Sequence, residues 1–199
     1  MYFCQFTEST NSDGMIFDEQ YIERYSIYKY LSDEIIKDSS IDYLEFGVFE
    51  GESIKKWKEL NKDADSRFYG FDTFTGLPED WGNKPRSHFD MRGTPPGLDD
   101  KRVFFVKGLF QGTLGTFLQD FSPRSRLIIH LDADLYSSTL YCLTTLNPFV
   151  ADDTILIFDE FSDLNHEFAA FHDYCRSFRR QFKLLCRTEQ YRHVALVAA

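Results

Sequence analysis

Four acidic side chains stand where chemistry could be done. Asp132 and Asp134 lie in LDADLYSST, residues 131–139, directly after the apolar run Leu127-Ile128-Ile129-His130. Asp159 and Glu160 lie in ILIFDEF, residues 155–161, at the end of a second apolar run. Both runs have the length and composition of strands buried on two faces, so each of two buried strands ends on carboxylates. If the strands are neighbours, the four carboxylates converge. Oxygen ligands with no cysteine nearby suit magnesium or calcium rather than zinc. Without a cation, four converging carboxylates repel, and at least one pKa must rise. A plainer reading makes some of them helix caps, since Asp134 precedes a helical pattern from Tyr136 and Glu160 precedes Ser162. The set is expected to hold a divalent ion, with at least one member acting only as a cap.

A second constellation lies upstream. In YLEFGVFEGES, residues 43–53, Gly47 and Gly51 separate a strand pattern from a helix pattern. Gly47 is expected to let the chain turn without a Cβ, and Gly51 to let a ligand approach the backbone at a helix N-terminus. The spacing is not G-x-G-x-x-G, which argues against a dinucleotide. The next strand pattern ends on Asp72 in YGFDTF. An acid about 20 residues past a glycine turn can accept both hydrogen bonds of a ribose diol; the plainer role is a turn or cap aspartate. Glycine turn and acid together suit a nucleoside-bearing cofactor without a pyrophosphate.

The elements that must position these residues alternate. Strand patterns cover 41–46, 67–72, 102–107, 126–132, 154–159, 182–187 and 193–198; helix patterns cover 17–38 (through Tyr21, Ile22, Tyr25, Tyr28, Leu31 and Ile35), 52–61, 113–121, 137–147 and 164–179. Such alternation implies an α/β fold, a doubly wound, mostly parallel sheet with helices on both faces. The last two strands are five residues apart, too close for a crossover, and should be antiparallel. Ligands in such sheets bind beyond the C-terminal strand ends, where the strand order reverses. The irregular stretch 74–101 carries Phe74, Trp81, His88 and Phe89, and is expected to be a substrate lid rather than a disordered insertion.

The chain of 199 residues suits one domain, 1–199. A net charge of −10 argues against nucleic acid as partner. Cys4, Cys142, Cys175 and Cys186 form no C-x-x-C pair and read as reduced thiols of a cytoplasmic protein. No apolar run approaches a membrane span, and the N-terminus does not read as a signal peptide. Among the histidines, His130 reads as a satisfied core residue. His166 and His88 are candidates to face the site, and His172 and His193 read as structural or exposed.

Five stretches, in the order LEFGVFEGES, YGFDTFTGLPEDW, VKGLFQGTL, IHLDADLYSSTLYCLTTLNPFV and ILIFDEF, resemble the macrocin O-methyltransferase family (TylF/MycF/NovP-like) over about residues 40–175. That resemblance implies a metal-dependent enzyme using S-adenosylmethionine (SAM) to methylate sugar hydroxyls. It implies the Rossmann-like class I methyltransferase fold, with seven strands and the last antiparallel. It places Glu45, Gly47, Val48, Gly51 and Ser53 along the methionine side of SAM, Asp72 on the ribose, and Gly108, Phe110 and Gln111 near the adenine. It assigns Asp132, Asp159 and Glu160 to a divalent metal, usually Mg2+, and leaves Asp132 or Asp134 as the base. Where antibiotic-modifying members carry Asp-Gly-Asp and Asp-Asp, this chain has Asp132-Ala133-Asp134 and Asp159-Glu160. The expected acceptor is a hydroxyl of a sugar or glycosylated small molecule; a catechol also fits a metal-bound diol. Two other readings stay open: a metal-dependent hydrolase built on the acids, and a SAM-binding module without turnover. The oligomeric state is open, a homo-oligomer included.

Overall fold

The computed structural model describes residues 2–10, 14–17 and 24–199. The strands are β1 (Met15–Phe17), β2 (Ile41–Phe46), β3 (Arg67–Asp72), β4 (Val103–Lys107), β5 (Arg126–Leu131), β6 (Ile155–Phe158), β7 (Phe182–Thr188) and β8 (Val194–Ala198). The α-helices are α1 (Tyr2–Thr10), α2 (Arg24–Tyr30), α3 (Glu52–Leu60), α4 (Phe110–Asp120), α5 (Tyr136–Leu146) and α6 (Glu167–Phe178). All strands join one sheet in the order β1-β7-β8-β6-β5-β2-β3-β4. Only β8 runs antiparallel to its neighbours, β6 and β7.

The doubly wound sheet with a terminal antiparallel hairpin is therefore as expected, with one correction. The sheet has eight strands, not seven. The extra strand, β1, pairs in parallel with β7, placing Met15 opposite Cys186. Three residues are too few for periodicity to register. Phe17 accordingly ends a strand rather than opening a helix. The helix pattern of 17–38 becomes α2 followed by the π-helical turn Leu31–Ile36, closed by the Lys37 amide donating to the Ser32 carbonyl. Tyr21 and Ile22 lie outside the described residues.

Alternation along β2 shows how the sheet is covered. Leu44 and Phe46 pack with residues of α4, α5 and α6, including Leu114, Leu143 and Phe171. Ile41 and Tyr43 pack on the other face with Tyr28, Leu31, Ile54 and Trp57. Each strand residue thus finds apolar cover on its own side. The strand order reverses between β2 and β5, which pair in parallel with Phe46 opposite Leu131.

The stretch 74–101 is an ordered loop. Its first residue is tied back to its later part, as the Met91 and Gly93 amides donate to the Phe74 carbonyl. Met91 and Leu98 pack against the α2–α3 side of the core.

Candidate active site

Backbone hydrogen bonds continue past the strands and lock their C-terminal ends into a row. The Gly47 amide donates to the Phe71 carbonyl (3.0 Å), the Asp132 amide to Phe46 (3.0 Å), the Asp159 amide to Leu131 (3.1 Å) and the Gly108 amide to Asp72 (2.9 Å). Gly47 is required at the reversal point. Its φ is +96°, and a Cβ there would lie 1.7 Å from the Asp132 carbonyl oxygen. The glycine thus lets the ends of β2 and β5 meet.

Above this row lies a cavity of about 300 Å3. Gly47, Val48, Ser53, Asp72, Phe110 and Gln111 line one part of it, and Asp132, Asp134, Asp159 and Glu160 another. Leu77, Pro78, Lys84 and Phe89 of the 74–101 loop also reach it. Its size is at the low end for a small-molecule site.

The model of the family described as macrocin O-methyltransferase (TylF) matches residues 28–185. The chain belongs to that family.

Solved structures of similar fold are consistent with this membership. The O-methyltransferase NovP superposes with a TM-score of 0.69 at 22% identity, covering 88% of this chain and 79% of that one. The calicheamicin methyltransferase CalS11 gives 0.66 at 19% identity, with the same coverage. An O-methyltransferase from Bacillus cereus, solved with S-adenosylhomocysteine (SAH), gives 0.57 at 13% identity over 98% of this chain and 88% of that one. No curated protein sequence matched the chain.

Within this O-methyltransferase fold, three of the nine residues assigned to the cofactor lie outside the cavity lining: Glu45, Gly51 and Gly108. Glu45 is buried beneath the glycine turn and accepts a hydrogen bond from the Tyr43 hydroxyl at 2.8 Å. Burial lifts its carboxyl to about 8, against that hydrogen bond. Gly51 lies beside Pro96 of the loop. It takes φ +76° ahead of α3, and a Cβ would come 2.8 Å from Pro96 Cγ, so it serves the packing of the loop. Asp72 braces the glycine turn: one carboxylate oxygen accepts the Val48 and Phe49 amides at 2.8 and 2.9 Å, the other the Phe74 amide at 2.8 Å. The turn-aspartate role is therefore real, and Asp72 lines the cavity as well.

The acids do converge. Ligand atoms of Asp132, Asp134 and Glu160 lie within 4.8 Å of one another, as do those of His130, Asp132 and Asp159. Asp132 belongs to both groups, while Asp159 and Glu160 fall into different ones. The capping role fails for Asp134 and Glu160. The cap positions of α5 and α6 are Leu135 and His166, neither making a side-chain cap. Asp134 instead takes φ +58°, a left-handed turn that aspartate tolerates.

Burial and mutual repulsion set the charge states. Asp132 is pushed well above the carboxylate range by burial and by Asp159 and Glu160, with Arg24 opposing. Burial and Glu160 raise Asp134 to about 8, and burial and Asp159 raise Glu160 to about 7. Burial also penalises ionised Asp159, yet His193 and Arg24 outweigh it and hold that carboxyl below its usual range. His193 Nδ1 stands 3.2 Å from Asp159 Oδ1, within ion-pair distance but outside hydrogen-bond geometry.

These shifts fix a pH dependence. Folded Asp134, Glu160 and Glu45 hold protons that the unfolded chain has already released, so their stabilisation is lost as pH rises through the folded values. Buried His130, lowered to about 3 by burial, affects only the range below its ordinary 6.5. With divalent cations chelated, the melting temperature should fall between about pH 6.5 and 8.5, and Mg2+ should restore it at the upper end. Differential scanning calorimetry across that range checks this; a flat or rising profile in EDTA would contradict the assignment.

Two residues of this centre escaped the sequence reading. Arg24 places Nη1 3.3 and 3.2 Å from the two Asp159 oxygens and 3.6 Å from Asp132 Oδ2. His193, read as structural or exposed, touches Asp159. The Arg24–Asp159 contact spans 135 residues, and no local pattern marks it. The other histidines resolve plainly. His130 is fully buried, with Tyr43 Oη 2.7 Å from Nδ1 and Tyr28 Oη 3.4 Å from Nε2, a satisfied core residue as expected. His166 Nδ1 accepts the Tyr136 amide and ties α6 to α5 instead of facing the cavity. His88 meets Phe89 edge to face in the loop and does not line the cavity.

Proposed function

We propose that this protein transfers a methyl group from SAM to a hydroxyl of a sugar or glycosylated small molecule, assisted by a divalent cation. One observation carries the reading: a single cavity at the strand-order reversal joins the glycine-turn residues to the four carboxylates. The printed descriptions of two neighbours support the acceptor class and the cofactor. CalS11 is described as a TDP-rhamnose 3'-O-methyltransferase, and TomG, with a TM-score of 0.51, was solved with SAM.

The residues fit both groups. Glu160 Oε2 is buried with no hydrogen-bond partner among the described residues, in a cluster that offers mainly carboxylate oxygens, as a hard cation requires. Asp132, Glu160 and either Asp134 or Asp159 would hold Mg2+. Gly47, Val48, Ser53, Asp72, Phe110 and Gln111 would hold SAM, with Glu45, Gly51 and Gly108 supporting from behind. When bound, SAM supplies an activated methyl group, and the cation lowers the pKa of the acceptor hydroxyl.

The chain's own part is alignment and proton transfer. Asp132 or Asp134 takes the acceptor proton; a carboxyl raised to about 8, as at Asp134, is matched to a base working near neutral pH. Leu77, Pro78 and Phe89 exclude water above the acceptor, so that residues 74–101 act as the lid of one domain spanning 1–199.

Calorimetry with SAH, first in Mg2+ and then in EDTA, tests the reading. Micromolar binding is expected in the wild type. Asp72→Ala should weaken it by on the order of 100-fold, because it removes a ribose contact and unties three turn amides. A hydrolase built on the acids alone would bind no SAH and ignore the substitution. Methyl transfer from SAM, assayed against nucleotide-linked sugars, glycosides and catechols, then identifies the acceptor and separates an enzyme from a silent binding module.

A further inference from the structure

Arg24, the first described residue of α2, brings a guanidinium into the acidic centre, where it lines the cavity. It bridges Asp159 and Asp132, the carboxylates that end neighbouring strands β6 and β5. Ionised carboxylates this close repel one another, and Arg24 brings positive charge to two of them from inside the chain. The bridge is partly sheltered, with the Arg24, Asp132 and Asp159 side chains 19%, 24% and 7% exposed. Asp132 is the shared element, because it also belongs to the Asp132–Asp134–Glu160 group able to hold a cation. A divalent ion on Asp132 would face a guanidinium within a few ångströms, in surroundings that screen poorly.

We propose that Arg24 is the resident counter-ion of Asp132 and Asp159, and that a divalent cation enters the centre by displacing its guanidinium. The inference rests on the metal-assisted reading above and adds a positioning residue that is exchanged for the ion. In the cation-free protein Arg24 holds the two carboxylates apart from each other's charge. On cation binding Asp132 turns to the ion, and the first turn of α2 loses its anchor. Affinity for the ion is then lowered by the fraction of molecules in which Arg24 has not yet let go.

Mn2+ binding followed by electron paramagnetic resonance tests this on wild type, Arg24→Met and Arg24→Lys. Arg24→Met should bind at least about 10-fold more tightly than wild type, because the competing charge is gone. Arg24→Lys keeps the charge and should stay within a few-fold of wild type. Hydrogen exchange on the wild type needs no variant: amides of residues 24–30 should exchange faster once Mg2+ is added. Equal or weaker Mn2+ binding by Arg24→Met, or slower or unchanged exchange at 24–30, overturns the displacement and leaves the metal-assisted reading standing. Absence of Mn2+ binding in both wild type and Arg24→Met overturns both.

Discussion

Gly47→Ala should remove the cofactor site together with most of the stability. The new Cβ would fall 1.7 Å from the Asp132 carbonyl oxygen, far inside any contact distance, at a φ of +96° that side chains rarely adopt. The obstacle is backbone on both sides, so no side chain can rotate away. Relief requires parting β2 from β5 where the Asp132 amide donates to the Phe46 carbonyl. A cost above about 4 kcal/mol is expected, a large share of what a domain of ordinary stability has to lose. Circular dichroism melts and SAH calorimetry would register both losses. Gly115→Ala is the contrast: its Cβ meets nothing within 4 Å on helix α4, and it should stabilise by up to about 1 kcal/mol. A Gly47→Ala protein with wild-type melting and wild-type SAH affinity would show that the two strand ends do not meet as described.

The second large effect is on turnover. Asp132→Ala should lower kcat by about 10^3-fold or more, since a positioned base and a hard cation each contribute on that scale. Asp132 is the carboxylate common to both ligand groups, so its loss disperses the centre whichever of Asp134 and Asp159 completes it. SAH affinity should change by no more than a few-fold, because the cofactor-side residues are untouched. Single-turnover kinetics alongside SAH calorimetry separates the two. If SAH affinity collapses with kcat, Asp132 supports the cofactor side rather than the acceptor. Comparison with Asp134→Asn then discriminates the base. A pH–rate profile that loses its acidic limb in Asp134→Asn but keeps it in the wild type assigns the proton to Asp134.

Some of this was written locally in the chain. Alternating and continuous apolar runs specify strands whichever partners they find, so the alternation of strands with helices already implied a doubly wound sheet. The same local logic put Asp72, Asp132 and Asp159 at strand ends, because each follows an apolar run directly. Five residues between the last two strands forced the antiparallel turn. The motifs from Leu44 to Phe161 carried the family.

Other features only the tertiary structure decided, because they depend on contacts between distant segments. The extra edge strand β1 is three residues long and exists only where β7 offers an open edge. Gly51 also makes room for Pro96, which the chain reaches only after the loop folds back. Capping by Asp134 and Glu160 stayed open as the plainer alternative until helix geometry put Leu135 and His166 in those positions. Arg24 and His193 flank Asp159 from opposite ends of the sequence. Neither has a neighbour in the chain to betray it, because an ion pair leaves no period and no spacing. Carboxylates announce themselves by where their strands stop, whereas the cations that balance them arrive through space.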